Sequence, residues 1–344
     1  MIYIYILLAV LAFGFLIFVH EFGHFITAKL SGVRVNEFAL GMGPAIFKFT
    51  KGETLYALRI LPIGGFCAME GEDKESDDPK AFGSKSVWKR ILIVVAGSAM
   101  NLIIGFVLLT VFLAPTERWV TPTVAEVVPE YMAESGIQVG DTVTSIDGYR
   151  IYLANDLLTA LSLGKDAPYY TVEVLRDGER VTLERVKFEL HTYERDGKTV
   201  QNYGVLFKTE ESTFGGKVKL ILQNAYNLVR MVHLGLVQLL TGQVGMDDVA
   251  GPIGIGKMMV ETAQTSLFSL LFLIAFISIN LGIMNLLPIP ALDGGRLLFL
   301  LIELIRGKPI NPKYEGYVHA AGLVILMGFM IFVAFHDIWR LIFA

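Results

Sequence analysis

Charge is what this sequence is short of. Only 18% of its 344 residues are Asp, Glu, Lys or Arg, where soluble domains carry roughly 25%, and none falls between Met1 and Val19. No basic excess offsets this: the net charge is -4 and no stripe of Lys and Arg is present, which excludes nucleic acid as a partner. A single cysteine, Cys67, excludes an internal disulfide and any cysteine-based structural zinc site. Cys67 itself reads as a small residue in a Gly-Gly-Phe-Cys loop. No Lys or Arg precedes the first apolar run and no small-residue cleavage site follows it, so the run reads as a retained segment rather than a signal peptide. What fills the chain instead is apolar: 53% hydrophobic residues and a mean hydropathy of +0.56, the composition of a protein whose solvent is lipid.

Four runs reach the roughly 20 residues that a bilayer crossing needs: about 1–27, 90–114, 267–287 and 320–341. Lys and Arg crowd the connection between the first two, from Lys29 to Arg90, and Arg296, Arg306, Lys308 and Lys313 occupy the connection between the last two. The bias of positive loops towards the cytoplasm puts both connections inside, and both termini and 115–266 outside. The stretch 217–241 is apolar on one side, but Lys219, Gln223, Asn227 and Arg230 recur on the other, as in a helix lying on the membrane. Region 120–209 has soluble texture, with strand-like runs at 123–128 and 170–175, Asp-Gly turns at Asp147-Gly148 and Asp177-Gly178, and a helix over 153–163. Two more strand-like runs, 45–49 and 54–60, lie between the glycine clusters at Gly41-Met42-Gly43 and Gly64-Gly65, and predict a β-hairpin over 41–66 beside the first span.

Inside the first span stands His20-Glu21-Phe22-Gly23-His24. Residues four apart on a helix share a face, so both imidazoles can reach one metal ion, and the glutamate between them is placed to move protons in metal-assisted hydrolysis. Ionisable groups at membrane depth are costly and point to function. Two histidines leave a catalytic zinc one protein ligand short. Asp293 is the candidate, because Pro288-Ile289-Pro290 must break the third span and Gly294-Gly295 let the backbone turn. Asp293 could instead merely cap the helix that follows; with the histidine pair present, the ligand reading is preferred. His191, His233, His319 and His336 have no partner spacing and read as structural.

These motifs, with Gly97-Ser98-Ala99-Met100-Asn101, the Asn280 to Asn285 segment and Gly251-Pro252-Ile253-Gly254, resemble the site-2 protease family of intramembrane zinc metalloproteases, in its bacterial branch that cleaves anti-sigma factors. The resemblance covers nearly the whole chain. It implies one zinc ion per chain held by His20, His24 and Asp293, with Glu21 as the catalytic acid/base. It also implies substrate contacts from Asn280 and Asn285 and a further role for Asn101. Pairing of the substrate as an added strand is expected at Thr54, Leu55, Tyr56, Ala57 and Leu58 of the hairpin. The 120–209 region looks like a single PDZ domain, with Glu134-Ser135-Gly136-Ile137 and Ile146-Asp147-Gly148 as its core; Tyr203-Gly204-Val205-Leu206 is placed to accept a peptide terminus.

The expected fold is therefore an α-helical polytopic membrane protein of about four spans, with a membrane-associated β-hairpin and one inserted extracytoplasmic α+β PDZ domain. The expected parts are 1–115, the first half of the membrane core; 116–210, the PDZ domain; 211–266, an amphipathic surface helix and linker; and 267–344, the second half of the core. The expected setting is a bacterial inner membrane, with the active site towards the cytoplasm. The expected substrates are single-span membrane proteins, such as clipped anti-sigma factors or remnant signal peptides. Two other readings are a metal or solute transporter, which would need repeated halves, and a catalytically inactive PDZ-bearing scaffold.

Overall fold

A computed structural model describes all residues except 1, 73, 75, 129–134, 165–166, 196–197, 246–248 and 344. The helices are α1 (Ile2–Leu30), α2 (Val87–Leu113), α3 (Asp156–Leu163), α4 (Phe214–Leu240), α5 (Pro252–Thr265), α6 (Leu267–Asn285), α7 (Asp293–Arg306) and α8 (Pro312–Phe343). The chain divides into two compact units, one of residues 1–112 with 227–344 and the other of residues 113–226.

Four helices among the described residues are long and apolar enough to cross a membrane: α1, α2, α6 and most of α8. Their ends follow from local chemistry. At the end of α1, Gly32 takes the left-handed conformation (φ +75°). The Val33 N–H then bonds the Ala28 carbonyl at 2.9 Å and the Gly32 N–H bonds that of Lys29 at 3.1 Å, closing two carbonyls the helix leaves open. Helix α2 stops just before Ala114-Pro115, and α6 stops at Asn285, three residues before Pro288, because proline supplies no N–H and excludes helix from the residue before it. Large apolar side chains stay exposed along the spans, among them Leu7 on α1, Ile103 on α2 and Val324 and Ile325 on α8, as expected of lipid-facing surface. Helix α4 is amphipathic and is not among the spans.

The predicted hairpin proves to be larger and differently built. Strands β1 (Val35–Lys51) and β2 (Thr54–Met69) are both long and bent. Phe38 pairs with Cys67 on one side and Tyr56 on the other; Ala39 pairs with Phe66 and Ala57, and Leu40 with Gly65 and Leu58. Residues 45–51 pair back onto 54–59. The result is a four-segment sheet in the order 65–69, 35–40, 54–58, 45–51. Cys67 is thus a buried strand residue, not a loop residue. Thr54 to Leu58 are flanked on both sides, and the Thr54 hydroxyl, fully buried, donates to the Val35 carbonyl at 2.7 Å. An inner segment has no free edge to offer, so strand addition at Thr54, Leu55, Tyr56, Ala57 and Leu58 is excluded.

Helix α7 is fixed to α2 by a partly buried, two-pronged ion pair: Arg90 Nη1 and Nη2 donate to the Glu303 carboxylate at 2.9 and 2.6 Å. Such paired contacts add orientation as well as attraction.

The second unit is built on a sheet of order β10-β3-β4-β6-β7, with β5 paired to β4. Its strands are β3 (Arg118–Val127), β4 (Thr142–Ile146), β5 (Tyr149–Arg150), β6 (Tyr170–Arg176), β7 (Glu179–Val186) and β10 (Val205–Glu211), with a separate β8 (His191–Arg195) and β9 (Lys198–Asn202) pair. Both Asp-Gly turns fall where the sequence predicts. Asp147 and Gly148, and Asp177 and Gly178, all have positive φ, the tight hairpin geometry that suits sheet twist. Val124, Ile137, Val143, Ile146, Val172 and Val174 form the core with Leu157 of α3. Glu134, in the expected domain core, lies outside the described residues.

Candidate metal centre

His20 and His24 stand one turn apart on α1, and Asp293 opens α7. Their tips converge. His20 Nε2 and His24 Nε2 are 3.2 Å apart, and Asp293 Oδ2 lies 3.3 Å from each. Four-coordinate zinc with bonds of about 2.0–2.1 Å needs ligand atoms about 3.3–3.4 Å apart along a tetrahedral edge, so this nearly equal-sided triangle fits one face of such a site. The donor set is also right chemically, with two imidazoles and one carboxylate. Buried Asp293 Oδ2 accepts no hydrogen bond among the described residues, and an anionic oxygen in that state needs a cation. Asp293 does not cap α7: it is the first helical residue, and the N-cap is Leu292, with no side-chain capping bond.

Neighbouring groups orient both rings. His24 Nδ1 lies 2.9 Å from the Ile93 carbonyl; donating its proton there leaves the Nε2 lone pair facing the triangle. His20 Nδ1 lies 3.4 Å from the amide of fully buried Asn101. With the amide oxygen turned to the ring, that contact performs the same service. Asn101 is held in turn through its carbonyl, which accepts from the Ser278 hydroxyl at 2.8 Å.

The crossing of α1 and α2 depends on two missing side chains. A Cβ at Gly23 would overlap the Ala96 carbonyl, and one at Gly97 would fall inside the His24 ring. Gly97→Ala is therefore expected to displace His24. Because a misplacement of about 1 Å can cost on the order of 100-fold in rate, we expect activity to drop by about that factor with the protein still inserted. Cleavage assayed beside a membrane-extraction control checks this.

A cavity of about 330 Å³ opens on the triangle. Glu21, Phe66, Cys67, Ala68 and Met69 line it, together with Glu72, Ala291, Arg296 and His319. Glu21 lies against this segment, since a Cβ at Gly65 would come within 3.1 Å of its Cγ, and the Met69 N–H reaches Glu72 Oε2 at 3.3 Å. Glu72 is also paired with Arg296. The edge segment 65–69 thus borders the cavity through Phe66, Cys67, Ala68 and Met69. Burial raises the Cys67 thiol well above its ordinary range, which keeps it a protonated, inert wall group.

Of the expected site residues, His20, Glu21, His24, Asn101 and Asp293 come together. Asn280 and Asn285 are half-buried on α6 and do not line the cavity, nor do Thr54 to Leu58. Sequence reasoning missed Phe66 to Met69, Glu72, Arg296 and His319. Only the Gly-Gly-Phe run hinted at the edge segment, and a lone histidine far along the chain gives no signal.

Apolar spans around a paired-histidine and carboxylate site with an adjacent glutamate define a membrane-embedded metallohydrolase. Residues 8–329 match the model of peptidase family M50. A Clostridium perfringens protein named as a zinc metalloprotease is 39% identical, the match covering 97% of this chain and 98% of that one. The regulator of sigma-W protease RasP of Bacillus subtilis is 32% identical, covering 96% and 97%. The zinc metalloprotease RasP of Bacillus licheniformis is 33% identical, covering 96% and 98%. The chain belongs to peptidase family M50. It is an intramembrane zinc protease of regulated proteolysis, which displaces the transporter reading.

Proposed function

We propose that His20, His24 and Asp293 hold the zinc and that Glu21 is the acid/base of peptide hydrolysis. The triangle of donor atoms beside Glu21 carries this reading. Zinc held there supplies an acidified water and a polarised scissile carbonyl. The chain's own groups do the rest. Ile93 and Asn101 hold the two rings in the ligating tautomer, and Glu21 stands at the cavity wall beside them. Glu21 takes a proton from the attacking water and returns it to the leaving amine.

The substrate is a transmembrane segment of a single-span protein, unwound and laid along residues 65–69. Support comes from the position of this segment. One side of it is already paired with 35–40, while Phe66, Cys67, Ala68 and Met69 line the cavity. A peptide added there gains backbone bonds that its own helix has lost. By analogy with the sigma-W regulator, the substrates are anti-sigma factors already clipped outside the membrane; remnant signal peptides suit the same groove. Residues 116–210 are read as a PDZ domain, in which the outer edge of β10, following Tyr203-Gly204, accepts a peptide terminus. The charge bias of the loops supports a topology with both termini and this domain extracytoplasmic and the metal site towards the cytoplasm.

The test uses purified full-length protein and a synthetic single-span substrate, N-methylated at one backbone amide at a time. Strand addition predicts that cleavage slows at every second position, because alternate residues face the pairing edge. Equal sensitivity at all positions would remove the edge from the mechanism, and a cut outside the span would remove the intramembrane substrate.

A further inference from the structure

Asp293 reaches the histidines only because the chain before it makes an unusual turn. Ala291 adopts a left-handed conformation, φ +76°, which a residue with a Cβ avoids unless its surroundings impose it. Helix α8 supplies those surroundings. The Ala291 N–H donates to His319 Nδ1 at 3.1 Å, so the imidazole is an acceptor there and carries its proton on Nε2. One turn on, Gly322 meets Pro290 so closely that any Cβ would overlap the proline. One turn back, Glu315 approaches Arg296 Nε at 3.9 Å. Residues 315, 319 and 322 are spaced by four and three and so share one face of α8. Much of the span, including Val324 and Ile325, is left to lipid.

We propose that this face of α8 is a clamp on the Pro290-Ala291 turn, and that His319 is a positioning residue that sets Asp293 for the metal. The proposal rests on the reading of Asp293 as a ligand. No chemistry at the substrate is assigned to His319. Its ring fixes a backbone N–H two residues before the carboxylate, and groups that orient a ligand in this way are commonly worth about 10–100-fold in metal affinity. Gly322 serves the same end by letting α8 lie against the turn.

The experiment measures zinc affinity of the full-length protein by chelator competition, with cleavage rate alongside. His319→Leu keeps the bulk but offers no acceptor, whereas His319→Asn places its side-chain oxygen about where Nδ1 stood. We expect His319→Leu and Gly322→Val to weaken zinc binding by about tenfold or more, and His319→Asn to stay within a few-fold of the unsubstituted protein. Unchanged affinity in His319→Leu overturns the clamp. So does a loss in His319→Asn equal to that in His319→Leu, since only bulk or ring identity would then matter. Asp293→Ala, measured beside them, separates the two readings. If it keeps its zinc, the ligand assignment falls and takes the clamp with it. If it loses zinc while His319→Leu does not, the clamp alone falls.

Discussion

Glu21→Gln is expected to leave the zinc in place and to abolish cleavage. The substitution preserves shape and size, so the side chain keeps its place at the cavity wall. The ligand triangle of His20, His24 and Asp293 does not include Glu21, so metal content is expected to be unchanged by elemental analysis. What disappears is a group that can take a proton and give it back. General acid–base catalysis contributes on the order of 10²–10⁴-fold, and here one side chain is assigned both transfers, so the loss belongs at the upper end. Turnover of a single-span substrate within tenfold of the unsubstituted rate would remove Glu21 from the mechanism.

Asp293→Ala has the second large effect, on a different observable. On the ligand assignment, it takes away one of three protein ligands and leaves two imidazoles facing a gap. Zinc content after dialysis is expected to collapse, and activity with it. Because zinc bound only to the folded state stabilises it by mass action, a strong chelator should lower the melting temperature of the unsubstituted protein and leave Asp293→Ala unmoved. Full zinc occupancy in the variant would reduce Asp293 to a structural residue at the head of α7.

Much of this was legible in the sequence because lipid imposes simple demands. Uninterrupted apolar runs announced the four spans, and polar groups inside one of them pointed to a site. Proline at 288 and 290 announced the break from which Asp293 projects. The sheet of β1 and β2 was legible only in part. Alternation exposed 45–49 and 54–60, but Gly41, Gly43, Gly64, Gly65 and two prolines interrupt the pattern in the flanking segments. The bending that those residues permit is what places 54–58 inside and 65–69 at the cavity. No periodicity reports such a fold-back, so the sequence alone points to 54–58 as the edge, where the sheet has an inner segment. Histidine 319 was illegible for another reason: its partner is a backbone N–H in a distant turn, and main-chain groups leave no trace in sequence.

The side chains assigned to the metal lie far apart in the sequence, His20 and His24 on α1 and Asp293 at the head of α7, and the turn before Asp293 is contacted by α8. A ribosome releases them in that order. The histidine helix is in the membrane long before Asp293 is made, and α8 follows later still. On the zinc assignment, a partly synthesised chain holds only two of its three ligands. It is therefore inert towards neighbouring membrane proteins while its own insertion is under way. Truncated products that lack the final helices should be harmless for the same reason, so the order of synthesis itself acts as a safety catch on a protease that works inside the membrane where it is assembled.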